Sequence, residues 1–490
     1  MNKPIRNLAV ACLVLFLALL ANVNFVQFVQ ADDLNAKTNN KRVINEQFSR
    51  DRGPILVDGD PVAVSKESKD QYKYQREYPD GPLYAPITGY FSYVYGRKAL
   101  ENSENDILSG DDDRLFVNRV VDLLSNKQAA GGSVELTIDP LAQKTAGEGL
   151  AALGKNTKGA VAAIDPQTGE ILAMVSQPSY DPNALASHDF TKVQRSMEKL
   201  TDDEDQPLLN RATQQILPPG STFKLVTAAA ALEKGVVDGP SDKVKAGSSL
   251  GFPGIDYRLV NENGSNCGGS TITFAQALAV SCNVSFGDIA GKVGQGDLEA
   301  QAEKFGFGTD PLAELGMSPS RFTTPDTDLE APQLAQSGIG QFEVAATPLQ
   351  MAMVAGGIAN GGEVMKPYLV KTVRSPSLRV LEEAEPRRFS RAMSASNAGT
   401  LRDMMVNVVE RGTATSARIN GVDVGAKTGT AQSTPDRPPY AWFVAFAPAK
   451  DPQVAVAVVV ESSDTSRDEI AGGRLAGPIA RSVMEAVLGR

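Results

Sequence analysis

The chain has 490 residues, of which 42% are hydrophobic and 22% charged, and a formal net charge of −10. That length fits two or three domains rather than one, and the composition is that of a globular protein. The acidic balance argues against a nucleic-acid partner, and the chain carries neither a phosphate-cradling G-x-x-x-x-G-K-[ST] loop nor a cluster of metal-ligand spacing, so no metal or other cofactor is expected.

Lys3 and Arg6 precede an apolar run over residues 8–21, which continues more weakly to residue 29 past Asn22, Asn24 and Gln27. This is enough for one transmembrane helix of about twenty residues. Basic residues before the run and Asp32 and Asp33 after it orient the N-terminus inside and the rest of the chain outside the membrane. Val29-Gln30-Ala31 loosely fits a signal-peptide cleavage site, but the length of the apolar run favours an uncleaved anchor over residues 1–31. Residues 32–133 read as a small, polar, turn-rich domain with a core around residues 84–90, no catalytic pattern, and a closing linker at 128–133.

Residues 134–490 read as one larger α+β unit. A strand at 134–138 and a helix at 140–153 lead to a hairpin, 159–164 and 170–175, whose turn contains Asp165-Pro166-Gln167-Thr168-Gly169. Near the C-terminus the pattern returns as strands at 425–431, 441–447 and 454–461, followed by a helix at 475–488. These strands can make one five-stranded antiparallel sheet with the helical middle of the chain packed beside it. The Gly/Ser/Asn-rich stretch 246–270 is expected to be a surface loop.

Three short motifs lie in that unit, in this order: Ser221-Thr222-Phe223-Lys224, Ser281-Cys282-Asn283 and Lys427-Thr428-Gly429-Thr430. Each alone is weak, since Ser196-Met197-Glu198-Lys199 also reads S-x-x-K and Ser103-Glu104-Asn105 also reads S-x-N. Ser103, however, precedes any S-x-x-K, and Ser196 sits in a charged stretch. Ser221 instead follows Pro218-Pro219-Gly220 and opens an apolar run, a helix-start pattern.

Serine becomes a nucleophile when a base takes its proton, and a lysine three residues on lies on the same helical face. Burial among Phe223, Leu225, Val226 and Ala228, together with a second positive charge from Lys427, would lower the Lys224 pKa far enough for it to serve. Ser281 can return a proton to the leaving amine, and Asn283 can hold the substrate amide and the lysine. Thr428 and Thr430, backed by Lys427, suit a substrate carboxylate, while Gly429 leaves room for substrate to approach the strand. The N–H groups of Ser221 and Thr430 are the expected oxyanion donors. His188, the single histidine, sits in a loop-like context, so a Ser-His-Asp triad is disfavoured. Of the three cysteines, Cys12 lies in the anchor; Cys267 and Cys282 are expected to bridge in an oxidising compartment and hold the loop before Ser281.

With these motifs the chain resembles the class B penicillin-binding proteins, the monofunctional D,D-transpeptidases, and within them a short actinobacterial branch. The resemblance runs over nearly the whole chain, taking in Arg52-Gly53, the Ser179-Tyr180-Asp181-Pro182-Asn183 ending, Gly338-Ile339-Gly340-Gln341 and Ala441-Trp442-Phe443. It implies a penicillin-binding, serine β-lactamase-like transpeptidase fold behind a small pedestal domain. It implies acylation of the serine by the D-Ala-D-Ala end of a peptidoglycan stem peptide, release of D-alanine, transfer to a neighbouring amine, and trapping by β-lactam antibiotics. It further implies a single-pass cell-membrane protein, a membrane-embedded glycan polymerase and division proteins as partners, and a septal role. A D,D-carboxypeptidase would use the same site. A class A β-lactamase would need an E-x-x-x-N motif between Asn283 and Lys427, and no convincing one is present. A β-lactam sensor or a division scaffold is the non-enzymatic alternative.

Overall fold

The structure is a computed structural model that describes residues 3–30, 34, 41–116, 130–312, 314–432, 437–465 and 470–490. Helix α1 (Lys3–Asn24), continued by a wider turn at Phe25–Val29, is long and apolar enough to cross a membrane, and none of it is buried against the rest of the protein. Asp32 and Asp33, the acidic flank of that run, lie outside the described residues.

Strands β1 (Ile55–Val57), β2 (Asp60–Glu67) and β3 (Tyr74–Glu77) form a meander, and β4 (Ser133–Leu136) joins β1 in parallel. Helix α2 (Pro140–Ala151), with Asp139 accepting from the Ala142 N–H and Pro140 at its first position, leads to the hairpin β5 (Lys158–Ile164) and β6 (Ile171–Gln177). The middle of the chain contributes α3 (Lys224–Glu233), the hairpin β7 (Ser249–Phe252) and β8 (Ile255–Val260), and helices α4 (Phe274–Ala279), α5 (Asn283–Val293) and α6 (Pro348–Ala359). Then follow β9 (Val370–Arg374), β10 (Val380–Glu383), α7 (Ala395–Arg411), β11 (Gly425–Ala431), β12 (Tyr440–Ala447), β13 (Val454–Ser462) and α8 (Gly472–Val487).

The central sheet has the order β11-β12-β13-β5-β6, antiparallel throughout, so the two ends of the unit do meet in one sheet. Every residue of β12 is buried, which requires cover on both faces. Ala455 and Ile164 lie under α6 at Gly356, whereas Phe443, paired with Val458, lies under α8 at Gly477. Ala455 and Val458 are three apart on one strand and therefore face opposite ways. The sheet is thus sandwiched between α6 and α8, and α2 packs beside α8.

Three sequence expectations need correction. First, the small sheet has the order β10-β9-β4-β1-β2-β3, so strands far along the chain complete it and the boundary read at 133/134 falls inside β4. Second, in the expected linker Gly131, Gly132 and Ser133 are buried, with the Gly131 N–H on Asp51 O and the Gly132 N–H on Ile107 O. A Cβ on Gly131 would lie 1.9 Å from Leu108 O, so the glycine serves close packing rather than flexibility; residues 128 and 129 fall outside the described residues. Third, the stretch 246–270 is not a plain loop: it contains the β7–β8 hairpin, and the strands on either side of it, Lys243–Lys245 and Thr271–Thr273, pair with each other. Its small polar residues hid a strand pattern that pairing and a cross-link supply.

Candidate active site

The Ser221 motif begins as a 3-10 turn, Gly220–Phe223, and becomes α-helical only at Lys224. In a 3-10 turn side chains three apart eclipse one another, which sets Ser221 and Lys224 on one side. Ser221 remains partly exposed, while α3 behind it is buried as far as Leu232. The turn is seated by its neighbours: the Gly220 N–H donates to Gly340 O at 2.9 Å, and Thr222 Oγ1 donates to Pro219 O at 2.7 Å.

Lys224 is fully buried. Its Nζ donates to Ser281 O at 2.7 Å and to Asn283 Oδ1 at 2.7 Å, and lies 3.1 Å from Ser281 Oγ. Lys427, equally buried, reaches the same Ser281 Oγ at 2.9 Å and the Thr428 carbonyl at 2.9 Å. One hydroxyl therefore bridges two lysines that lie far apart in the chain. Among the described residues neither amine has a carboxylate in ion-pair contact. Burial, and then the Lys427 charge, hold the Lys224 amine well below the ordinary lysine range, with Glu262 acting the other way. Burial brings Lys427 down to about 7, again against Glu262.

Ser281 lies in the turn between α4 and α5 at φ +58°, a left-handed conformation unusual for serine. Its N–H donates to Leu278 O, and the Cys282 N–H to Ala277 O, so the tight turn fixes where the hydroxyl sits. Cys282 is bonded to Cys267, with Cα atoms 5.8 Å apart, and Cys12 stays free on α1. The β7–β8 hairpin adds a brace that motif reading missed. Asn283 Nδ2 donates to Val260 O at 2.9 Å, and buried Asn261 accepts the Val284 N–H at 3.0 Å while donating to Gly247 O and Ser265 O. Nothing in a Gly/Asn-rich stretch marks that role beforehand.

Lys427, Thr428, Gly429 and Thr430 lie on β11, an edge strand of the central sheet. An edge strand leaves backbone donors and acceptors open to an incoming chain. Gly429 has a packing role as well: a Cβ there would lie 2.9 Å from Pro219 O and from Thr222 Cγ2, so the missing side chain seats the serine turn against the strand. Thr428 and Thr430 are half-buried, and the Thr428 hydroxyl lies 2.7 Å from that of Thr413.

The other sequence candidates lie apart from this cleft. Ser103 ends a short helix of the small domain, and Ser196 and Lys199 lie on the helix Phe190–Thr201. His188 bonds Asp70 and packs against Phe48 and Tyr72. No group of residues able to hold a metal occurs among the described residues.

Known proteins share both the sequence and the shape. Residues 159–485 match the family profile for the penicillin binding protein transpeptidase domain, and residues 52–134 match that for the penicillin binding protein A dimerisation domain. The peptidoglycan D,D-transpeptidase PbpA of Mycolicibacterium smegmatis is 42% identical over 100% of this chain and 99% of its own. The crystal structure of PBPA from Mycobacterium tuberculosis superposes with a TM-score of 0.85 at 38% identity, covering 90% of this chain and all of the other. The penicillin G acyl-enzyme complex of the same protein gives 0.83 over the same shares at the same identity.

Proposed function

The chain belongs to the class B penicillin-binding proteins, and we propose that it is a peptidoglycan D,D-transpeptidase working through an acyl-enzyme on Ser221. The observation that carries this reading is the shared Ser281 hydroxyl, bonded by both Lys224 and Lys427 beside the serine turn. Ser221 Oγ attacks the carbonyl carbon of the D-Ala-D-Ala peptide bond while the neutral Lys224 amine takes its proton. The oxyanion that forms is received by the N–H groups of Ser221 and Thr430. The proton passes through Ser281 to the departing nitrogen, the C–N bond breaks, and D-alanine leaves. An amine of a neighbouring stem peptide then attacks the ester, and Ser221 Oγ recovers a proton.

Two features support the lysine as base. It is desolvated, and its nearest cation lowers its pKa further. Asn283 holds the lysine through Oδ1 and is itself held by the β7–β8 hairpin, which keeps the amine in place without an acidic partner. Lys427, with Thr428 and Thr430, receives the substrate carboxylate. A β-lactam presents a similar carboxylate and acylates the same serine, but its leaving nitrogen stays tethered.

In the same reading α1 anchors the protein in the cell membrane as a single pass, with the catalytic unit outside, as the charges of Lys3, Arg6, Asp32 and Asp33 favour. A membrane-embedded glycan polymerase and division proteins are the proposed partners, and septal growth the proposed setting. The test is an intact-mass time course of the full chain in detergent with penicillin G. A penicilloyl adduct that persists for many minutes, and is absent from Ser221→Ala, is the expected result. Rapid turnover of the drug would instead mean a β-lactamase, and labelling of the alanine variant would remove Ser221 from the mechanism. Transfer of a D-Ala-D-Ala stem peptide to an added amine, as against hydrolysis alone, separates transpeptidase from carboxypeptidase.

A further inference from the structure

Glu262 belongs to none of the three motifs, yet the fold fastens it beside them. It follows β8 closely. Asn283 Nδ2 donates to Val260 O at 2.9 Å, and buried Asn261 accepts the Val284 N–H at 3.0 Å, so this stretch of chain is tied to the start of α5. Glu262 then opens a 3-10 turn, closed by the Gly264 N–H on Asn261 O at 3.1 Å, and Cys267 ties the end of the segment to Cys282. The Glu262 side chain is exposed, and among the described residues it has no ion-pair partner. Its charge nonetheless reaches both buried amines. It works against the fall in the pKa of Lys224 and of Lys427, and among the described residues no other acidic side chain acts on either.

The two halves of the reaction bring ligands of opposite charge. The donor arrives as a carboxylate, which a site with two lysines favours. The acceptor is an amine, and a side-chain amine with a pKa of about 10.4 arrives as an ammonium. Two lysines repel that cation, so without an opposing charge the ester would meet water in preference to the acceptor. A carboxylate in contact with Lys224 would answer the repulsion but would also hold the base protonated. Glu262 is set apart from both amines and open to solvent, so it can take an incoming cation while Lys224 stays neutral. The ammonium gives one proton to water, and its nitrogen attacks the ester carbonyl. The second proton passes through Lys224 to Ser221 Oγ as the C–O bond breaks.

We infer that Glu262 is a further specificity residue of this site, receiving the ammonium of the acceptor stem peptide and so favouring transfer over hydrolysis. The inference rests on the transpeptidase reading above. The test uses the full chain in detergent, a synthetic D-Ala-D-Ala peptide as donor, and two acceptors: 1,5-diaminopentane, a cation at neutral pH, and hydroxylamine, which is uncharged there. Mass spectrometry reads the ratio of transfer to hydrolysis, which is set after acylation and does not depend on its rate. Glu262→Gln should lower the ratio for the diamine about tenfold, the size expected for one hydrogen bond to a charged group, and leave the ratio for hydroxylamine unchanged. Glu262→Lys should lower the diamine ratio further still. An unchanged diamine ratio, an equal fall with both acceptors, or a lysine variant no worse than the glutamine one would each overturn the assignment. A wild-type chain that acylates but only hydrolyses would overturn the transpeptidase reading itself; a wild type that transfers, with one of those three patterns in the variants, overturns Glu262 alone.

Discussion

The protein buries charge in two places and treats it in opposite ways. In the small domain, Glu101 is fully buried between Arg52 at 2.6 Å and Arg76 at 2.7 Å, and accepts the Tyr78 hydroxyl at 3.0 Å. Both arginines bond main-chain carbonyls as well: Arg52 that of Glu101, Arg76 that of Gly53. Burial pushes the Glu101 carboxyl up, but Arg76 and Arg52 pull it below its usual value, so it stays ionised. In the catalytic unit two lysines are buried around one serine hydroxyl and, among the described residues, neither has a carboxylate in ion-pair contact. The first cluster is compensated and ties together segments distant in the chain. The second is left uncompensated, and its pKa values move instead, which is what a general base requires.

Breaking the uncompensated side should give the largest effect on catalysis. Lys224→Ala is expected to slow penicillin acylation by about 10²- to 10⁴-fold, the range for losing a general base, while the thermal midpoint holds. Stopped-flow acylation with a parallel melt checks both, and an unchanged rate would take Lys224 out of the mechanism.

Breaking the compensated side should act on the fold. Glu101→Gln leaves two arginines buried without their anion and should cost about 3–5 kcal/mol of stability. The acylation rate of the molecules that remain folded should hardly change. Denaturant unfolding combined with active-site titration separates the two, and an unaltered midpoint would mean the triad contributes nothing to stability.

A subtler experiment sharpens the contrast. Lys427→Met removes one of two like charges, so the Lys224 pKa should rise and the acid limb of residual acylation should move to higher pH. The melting temperature near neutral pH should hold or increase, the reverse of Glu101→Gln. The sign follows from proton binding: the unfolded chain, with lysine near 10.5, binds more protons than a folded chain whose Lys427 sits at about 7. Wild-type stability should therefore rise with pH across that window, and the variant should lose much of the slope. An equal slope in both proteins would show that Lys427 is not the group responsible.

These comparisons also mark how far the sequence could be read. The three motifs were legible because spacing alone puts Ser221 and Lys224 on one side, because order along the chain sets aside the decoy at Ser103, and because a charged setting sets aside the one at Ser196. The strands of the central sheet were legible because Val, Ala and Ile runs bounded by turn residues read as buried strands, and β11, β12 and β13 fall within a residue of expectation. The Arg52–Glu101–Arg76 cluster was not legible, because single charged residues scattered through a polar domain carry no local pattern. The Thr413 contact and the Asn261 brace escaped for the same reason.

What the sequence determined by itself was the candidate chemistry: a serine, a lysine three residues on and the two later motifs, each picked out by short-range spacing that survives any arrangement of the rest. Tertiary structure alone decided how that chemistry is tuned. The bridge from Lys224 through Ser281 to Lys427, the dry surroundings that lower both lysines, and the seat for the serine turn at Gly429 all depend on contacts between residues distant in the chain. Local preference and periodicity act over a few residues, whereas desolvation and charge coupling depend on distance in space, which only the folded chain sets.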